Sequence, residues 1–174
     1  MSLIITDSYS KSFEDATSIY DFSAHDATGS LVNFKEMYFN KVCLIVNVTV
    51  KGKDAVTLLK KLNKIRSSFS KKDFAILVFP CFQFGASDTV KGLVNFLKEN
   101  SLENMFDVFN EVQVNGPDAS EMYKYLKIKQ RGFMGGIINK NFTMFLTNKN
   151  GEPVQRLMPT VPADIIIKEI RGLI

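Results

Sequence analysis

The sequence predicts an α/β protein in which a mixed sheet is flanked by helices, and three observations carry that prediction. Residues 41–50, KVCLIVNVTV, form an almost unbroken run of apolar and β-branched side chains, the pattern of a strand buried on both faces. Residues 74–79, FAILVF, form a second such run. Between them the spacing becomes helical: Ala55, Leu58, Leu59, Leu62, Ile65 and Phe69 fall on one face, with Lys60, Lys61 and Lys64 opposite. Strand, amphipathic helix and strand in that order make a parallel crossover unit.

The other elements follow in order. Residues 1–17 are polar after Leu3, Ile4 and Ile5 and read as a loose arm ahead of the domain. Residues 18–26 alternate apolar Ile19, Tyr20, Phe22 and Ala24 with polar neighbours. Ala27 to Ser30 is a turn and residues 31–34 a short strand, so an N-terminal β-hairpin is predicted. Pro80 is expected to end the second buried strand. Val90, Leu93, Val94 and Leu97 mark a helix over 89–98, and residues 105–114 read as a mixed extended segment. Asn115, Gly116 and Pro117 form a turn, and Asp118 is a candidate N-cap for a helix to about residue 126. The loop 127–140, with Gly132, Gly135 and Gly136, is expected to be the most mobile internal segment. Strands are predicted at 142–147 and 153–157 around a turn ending at Gly151, and a last helix at 162–173. A hairpin, then β-α-β-α, then a helix, a hairpin and a final helix is the element order of a thioredoxin-like architecture.

Bulk properties narrow the function classes. A chain of 174 residues with 45% hydrophobic and 23% charged residues buries a real core as one domain. The net charge of +4 is mild, and the lysine pairs, such as Lys71 and Lys72, suit solvated faces better than a nucleic-acid groove, so no nucleic-acid partner is expected. Weak attraction to an anionic membrane surface remains open. Two cysteines, Cys43 and Cys81, are too few for a disulfide framework and suggest a reducing compartment. With no secretory pattern at the N-terminus and no run long enough to span a membrane, a cytoplasmic location is expected.

Five strings, in order, carry a resemblance: SIYDF at 18–22, KVCLIVNV at 41–48, FPCFQFG at 79–85, VNGPDA at 114–119, and NFTMFL at 141–146 followed by a Gly turn and PVQRLMP. Together they resemble the glutathione peroxidase family from Ser18 to the C-terminus. The resemblance implies a single thioredoxin-like domain over 18–174 that reduces hydroperoxides with a cysteine or selenocysteine. In that family the nucleophile follows the first core strand, in a motif of the type NVAS, one variable residue, Cys or Sec, then Gly. A glutamine from FPCNQFG and a tryptophan and asparagine from a WNF segment surround it.

Carried onto this chain, Gln83 matches the glutamine and Asn141 the asparagine. Lys140 stands where the tryptophan belongs, and Phe82 where the family has an asparagine. The nucleophile position falls on Gly52, or on Lys51 if the turn slips by one. Neither residue attacks an O–O bond by the family's route. The expected reading is therefore a degenerate site with no intact catalytic set, in a pseudoperoxidase that serves binding or scaffolding, with an unidentified protein partner. The alternative is a residual thiol-dependent peroxidase or peroxide sensor using Cys81, and only then is glutathione or a thioredoxin-like reductant a partner. Cys43, inside the buried strand, reads as inert core. The helix at 90–97, which carries a resolving cysteine in thioredoxin-dependent members, has none.

Other chemistries find less support. His25 lies in the hairpin, away from any serine or cysteine motif. No Cys, His and acidic cluster has metal-ligand spacing, so neither a metal nor a cofactor is expected. Gly52 and Lys53 lack the preceding glycine and following Ser or Thr of a nucleotide-binding phosphate loop. The short segment between Leu126 and Asn141 is similar to that of the family's monomeric branch, which handles lipid hydroperoxides, and implies a monomer.

Overall fold

The computed structural model describes residues 10–85, 89–132 and 135–174. A five-stranded sheet forms its centre. Strand β3 (Val42–Val48) pairs in parallel with β4 (Phe74–Pro80), from Val42 opposite Phe74 to Val48 opposite Pro80. On its other side β3 runs antiparallel to β6 (Met144–Thr147), which pairs with β7 (Pro153–Leu157). The short β5 (Asp107–Val108) lies parallel to β4 at the opposite edge, giving the order β5-β4-β3-β6-β7. A separate hairpin of β1 (Ser23–His25) and β2 (Leu31–Asn33) hooks onto the β5 edge, where the Ala27 N–H donates to the Val108 carbonyl. This is the thioredoxin-like arrangement expected from the element order.

Every residue of β3 and β4 is buried, and alternation sends successive side chains into two different cores. Val42, Leu44, Val46 and Val48 face the first core, with Ile76 and Val78. There they meet Leu59, Leu62 and Ile65 of α2 (Ala55–Ser67), Leu93 and Leu97 of α3 (Val90–Glu99), and Ile166 and Ile170 of α5 (Ala163–Arg171). Cys43, Ile45, Leu77 and Phe79 face the second core. It is closed by Met122, Tyr123 and Leu126 of α4 (Glu121–Lys129) and by Phe34 and Tyr38 of α1 (Phe34–Tyr38). Truncating a side chain such as Leu44 to alanine opens a cavity in a packed layer and costs about 2–5 kcal/mol.

Several elements differ from the sequence expectation. Ile19–Asp21 is a 3-10 turn rather than a strand, because Ser18 and Asp21 form a reciprocal capping box around it. Helix α1 was not anticipated; it starts directly after β2, with the Asn33 side chain accepting from the Glu36 N–H. Ser120, not Asp118, caps α4: its hydroxyl accepts from the Tyr123 N–H at 3.1 Å, and the helix runs on to Lys129. The extended segment over 105–114 reduces to the two residues of β5. Pro80 is the last residue of β4 rather than the first beyond it, and β6 begins only at Met144.

Of the expected N-terminal arm, residues 1–9 lie outside the described residues. Residues 10–17 are bonded to the domain: the Phe13 N–H donates to the Glu121 carboxylate and the Thr17 carbonyl accepts from the Tyr125 hydroxyl. Of the loop expected to be most mobile, residues 133 and 134 lie outside the described residues. Around them the Arg156 guanidinium donates to the carbonyls of Arg131, Gly136 and Ile137.

Candidate functional site

The turn after β3 opens a cleft of about 520 Å³ at the start of α2. Thr49 begins the turn; its hydroxyl accepts from the Lys51 N–H at 3.1 Å. Gly52 follows with φ at +110°, a conformation that costs any residue with a Cβ, and its carbonyl accepts from the Ala55 N–H to start the helix. Asp54 occupies the N-cap position, but its side chain caps nothing. The cleft is walled by Lys51, Gly52, Lys53 and Asp54 on one side and by Lys140, Asn141 and Phe142 on the other, with Pro159 and Thr160 completing it.

A buried asparagine joins the two walls. Asn47, next to last in β3, donates its side-chain amide to the Lys140 carbonyl and to the Asn141 side-chain oxygen, each at 3.2 Å. Its own carbonyl accepts from the Phe142 N–H at 2.6 Å, and the Lys140 carbonyl takes a second bond from the Thr143 hydroxyl. The Asn47 side-chain oxygen is buried and has no partner among the described residues. Sequence reading overlooked Asn47, although one polar residue inside an apolar strand is a signal that it bonds something specific.

Of the sequence-selected positions, Gly52, Lys140 and Asn141 therefore share one cleft, while Gln83 does not line it. Its side-chain oxygen accepts from the backbone N–H of Val114 at 2.6 Å and of Asn115 at 3.0 Å. Its amide nitrogen donates to the Asn115 carbonyl at 2.9 Å and to the Gln113 side chain at 3.4 Å. Both ends of the amide are thus engaged with residues 113–115, and Gln83 lines a different depression with Phe82, Glu111 and Asp118.

Neither cysteine lines the cleft, and both are fully buried. Burial pushes the Cys43 thiol up to about 12, with the Asp107 carboxylate adding to the rise. Burial likewise raises the Cys81 thiol, and the backbone N–H groups of Gln83 and Val114 offset only part of the effect. Cys81 packs in the second core with Tyr123, whose buried hydroxyl has no partner among the described residues. Among the described residues no group of three Cys, His or acidic side chains is placed to hold a metal ion, and no helix is long and apolar enough to cross a membrane.

Comparison with known proteins agrees with the resemblance. A family model described as glutathione peroxidase matches residues 19–127. Glutathione peroxidase 1 of Helianthus annuus is 37% identical over 158 residues, spanning 90% of this chain and 93% of its own. The crystal structure of Trgpx in apo form superimposes with a TM-score of 0.74 at 30% identity, over 91% of this chain and 96% of that one. A thiol:disulfide interchange protein of the thioredoxin family from Chlorobium tepidum shares the fold alone, with a TM-score of 0.62 at 10% identity over 91% and 98% of the two chains. On its sequence and its fold, this chain belongs to the glutathione peroxidase family.

Proposed function

We propose that this chain is a non-catalytic glutathione peroxidase homologue whose preserved fold serves binding or assembly. The observation that carries the reading is the turn at the start of α2, where Lys51, Gly52 and Lys53 stand and no thiol is present. Hydroperoxide reduction by the family's route needs a thiolate or selenolate to attack the peroxide oxygen and become oxidised. The engagement of Gln83 supports the same reading, since both ends of this amide are already hydrogen-bonded to residues 113–115. The rival reading, a relocated thiol at Cys81, needs an accessible and acidic sulfur, and the burial and raised pKa of Cys81 weigh against it.

The test is a peroxidase assay on the purified chain with hydrogen peroxide and an organic hydroperoxide, supplied in turn with glutathione and with a thioredoxin system. Turnover at the background rate is expected. Turnover comparable to an active family member overturns the reading, and its loss in Cys81→Ser would assign the activity to the relocated thiol.

A further inference from the structure

We propose that the cleft at the start of α2 binds a small phosphate-bearing anion, held by Lys51, Lys53 and Lys140. The inference rests on the reading of the site as non-catalytic, which leaves the cleft free for a ligand other than peroxide. Its volume of about 520 Å³ lies within the ordinary range for small-molecule sites. Three lysines and one carboxylate, Asp54, line it, which leaves an excess of two positive charges. A phosphate monoester carries close to two negative charges at neutral pH and matches that excess, whereas a single carboxylate leaves half of it uncompensated.

Among the described residues the side chains of these lysines have no hydrogen-bond or ion-pair partner. The ion pairs among the described residues are those of Lys11, Lys64 and Lys124, and no described carboxylate pairs with Lys51, Lys53 or Lys140. Asn141 adds a neutral donor by a short chain of logic. The Lys140 carbonyl can only accept, so Asn47 must present its amide nitrogen there, and from that nitrogen it also donates to Asn141. Asn141 must then turn its oxygen towards Asn47, which leaves its NH₂ as a donor with no acceptor among the described residues, on a side chain that lines the cleft. The uncapped start of α2 adds a favourable field but is not itself the site. Recognition here is by ammonium groups on flexible stems, which suits phosphate as a point charge, rather than by a backbone cradle.

The test is titration of the full chain at low ionic strength, in the absence of peroxide, with inorganic phosphate and with glycerol 3-phosphate, read by calorimetry. A parallel flotation assay uses phosphatidylcholine vesicles with and without phosphatidic acid. Saturable binding is expected, weakened about tenfold in Lys140→Gln and in Lys51→Gln, and unchanged in Lys98→Gln, on the exposed face of α3. Binding of glycerol 3-phosphate without flotation assigns the anion to a soluble phosphate. Flotation that requires phosphatidic acid, without saturable glycerol 3-phosphate binding, assigns it to a lipid headgroup. No saturable binding in either arm, or equal affinity in Lys98→Gln and Lys140→Gln, overturns the inference. A chain that binds phosphate yet reduces peroxide would refute the non-catalytic reading alone.

Discussion

The side-chain oxygen of Gln83 lies 2.6 Å from the backbone nitrogen of Val114 and accepts its N–H. A glutamine that resembles a catalytic residue by its sequence motif is thus a structural bracket between the end of β4 and the segment leading to α4. Removing it in Gln83→Ala leaves the Val114 and Asn115 N–H groups without this partner and is expected to cost about 1–3 kcal/mol. Urea denaturation reads the loss directly. An unchanged midpoint would show that the bracket carries no stability.

Placing a thiol at Gly52, the position that the resemblance matches to the family's nucleophile, is not expected to produce turnover. In Gly52→Cys the new Cβ meets nothing within 4 Å, so packing is no obstacle, but the backbone there sits at φ +110°. A strain of about 1–3 kcal/mol follows, together with peroxidase activity that stays at background because Gln83 is engaged elsewhere. Thermal denaturation and the coupled peroxidase assay check the two halves separately.

Both native cysteines are expected to be silent to a thiol reagent in the folded state and to react once the chain unfolds. Their raised pKa values keep them as neutral thiols at physiological pH, and their burial denies access. Ellman titration with and without denaturant measures this. Fast modification of one thiol in the native protein would contradict the packing of the second core.

The acid limb of stability has an identifiable contributor. Burial works to raise the Asp21 carboxyl, but the Lys11 ammonium, the Thr17 N–H and hydroxyl and the Ser18 N–H outweigh it and hold the group at about 2. A folded-state pKa below the unfolded one means that the carboxylate stabilises the fold above the unfolded value. That stability is lost as pH falls from about 4 through about 2. Asp21→Asn is therefore expected to lower stability at neutral pH and to converge with the parent towards pH 2, a comparison made by urea melts across that range.

What the sequence made legible was whatever leaves a long imprint. Strands β3 and β4 lie between two cores, so nearly every residue in them is apolar, and helix α2 shows its period over thirteen residues. The 3-10 turn at Ile19–Asp21 and helix α1 depend on single caps, Ser18 and Asn33, and such signals are as short as the elements they start. The site divided in the same way. That the turn at Gly52 carries no thiol and that Lys140 is a cation can be read from residue types alone. The engagement of Gln83 cannot, because three of its four partners are backbone N–H and carbonyl groups, which carry no mark in the residue types.

Arg156 extends that anonymity to the loop before the cleft. Its guanidinium, lying over the Phe145 ring, holds the segment before the cleft through the carbonyls of Arg131, Gly136 and Ile137. A grip on carbonyl oxygens is blind to side chains, so it does not by itself dictate which residues stand at positions 131, 136 and 137. Backbone conformation still restricts the glycines: Gly132, Gly135 and Gly136 all have positive φ, and at Gly132 a Cβ would also come within 3.0 Å of the guanidinium. The places of these three carbonyls are thus tied to a strand residue some twenty positions downstream.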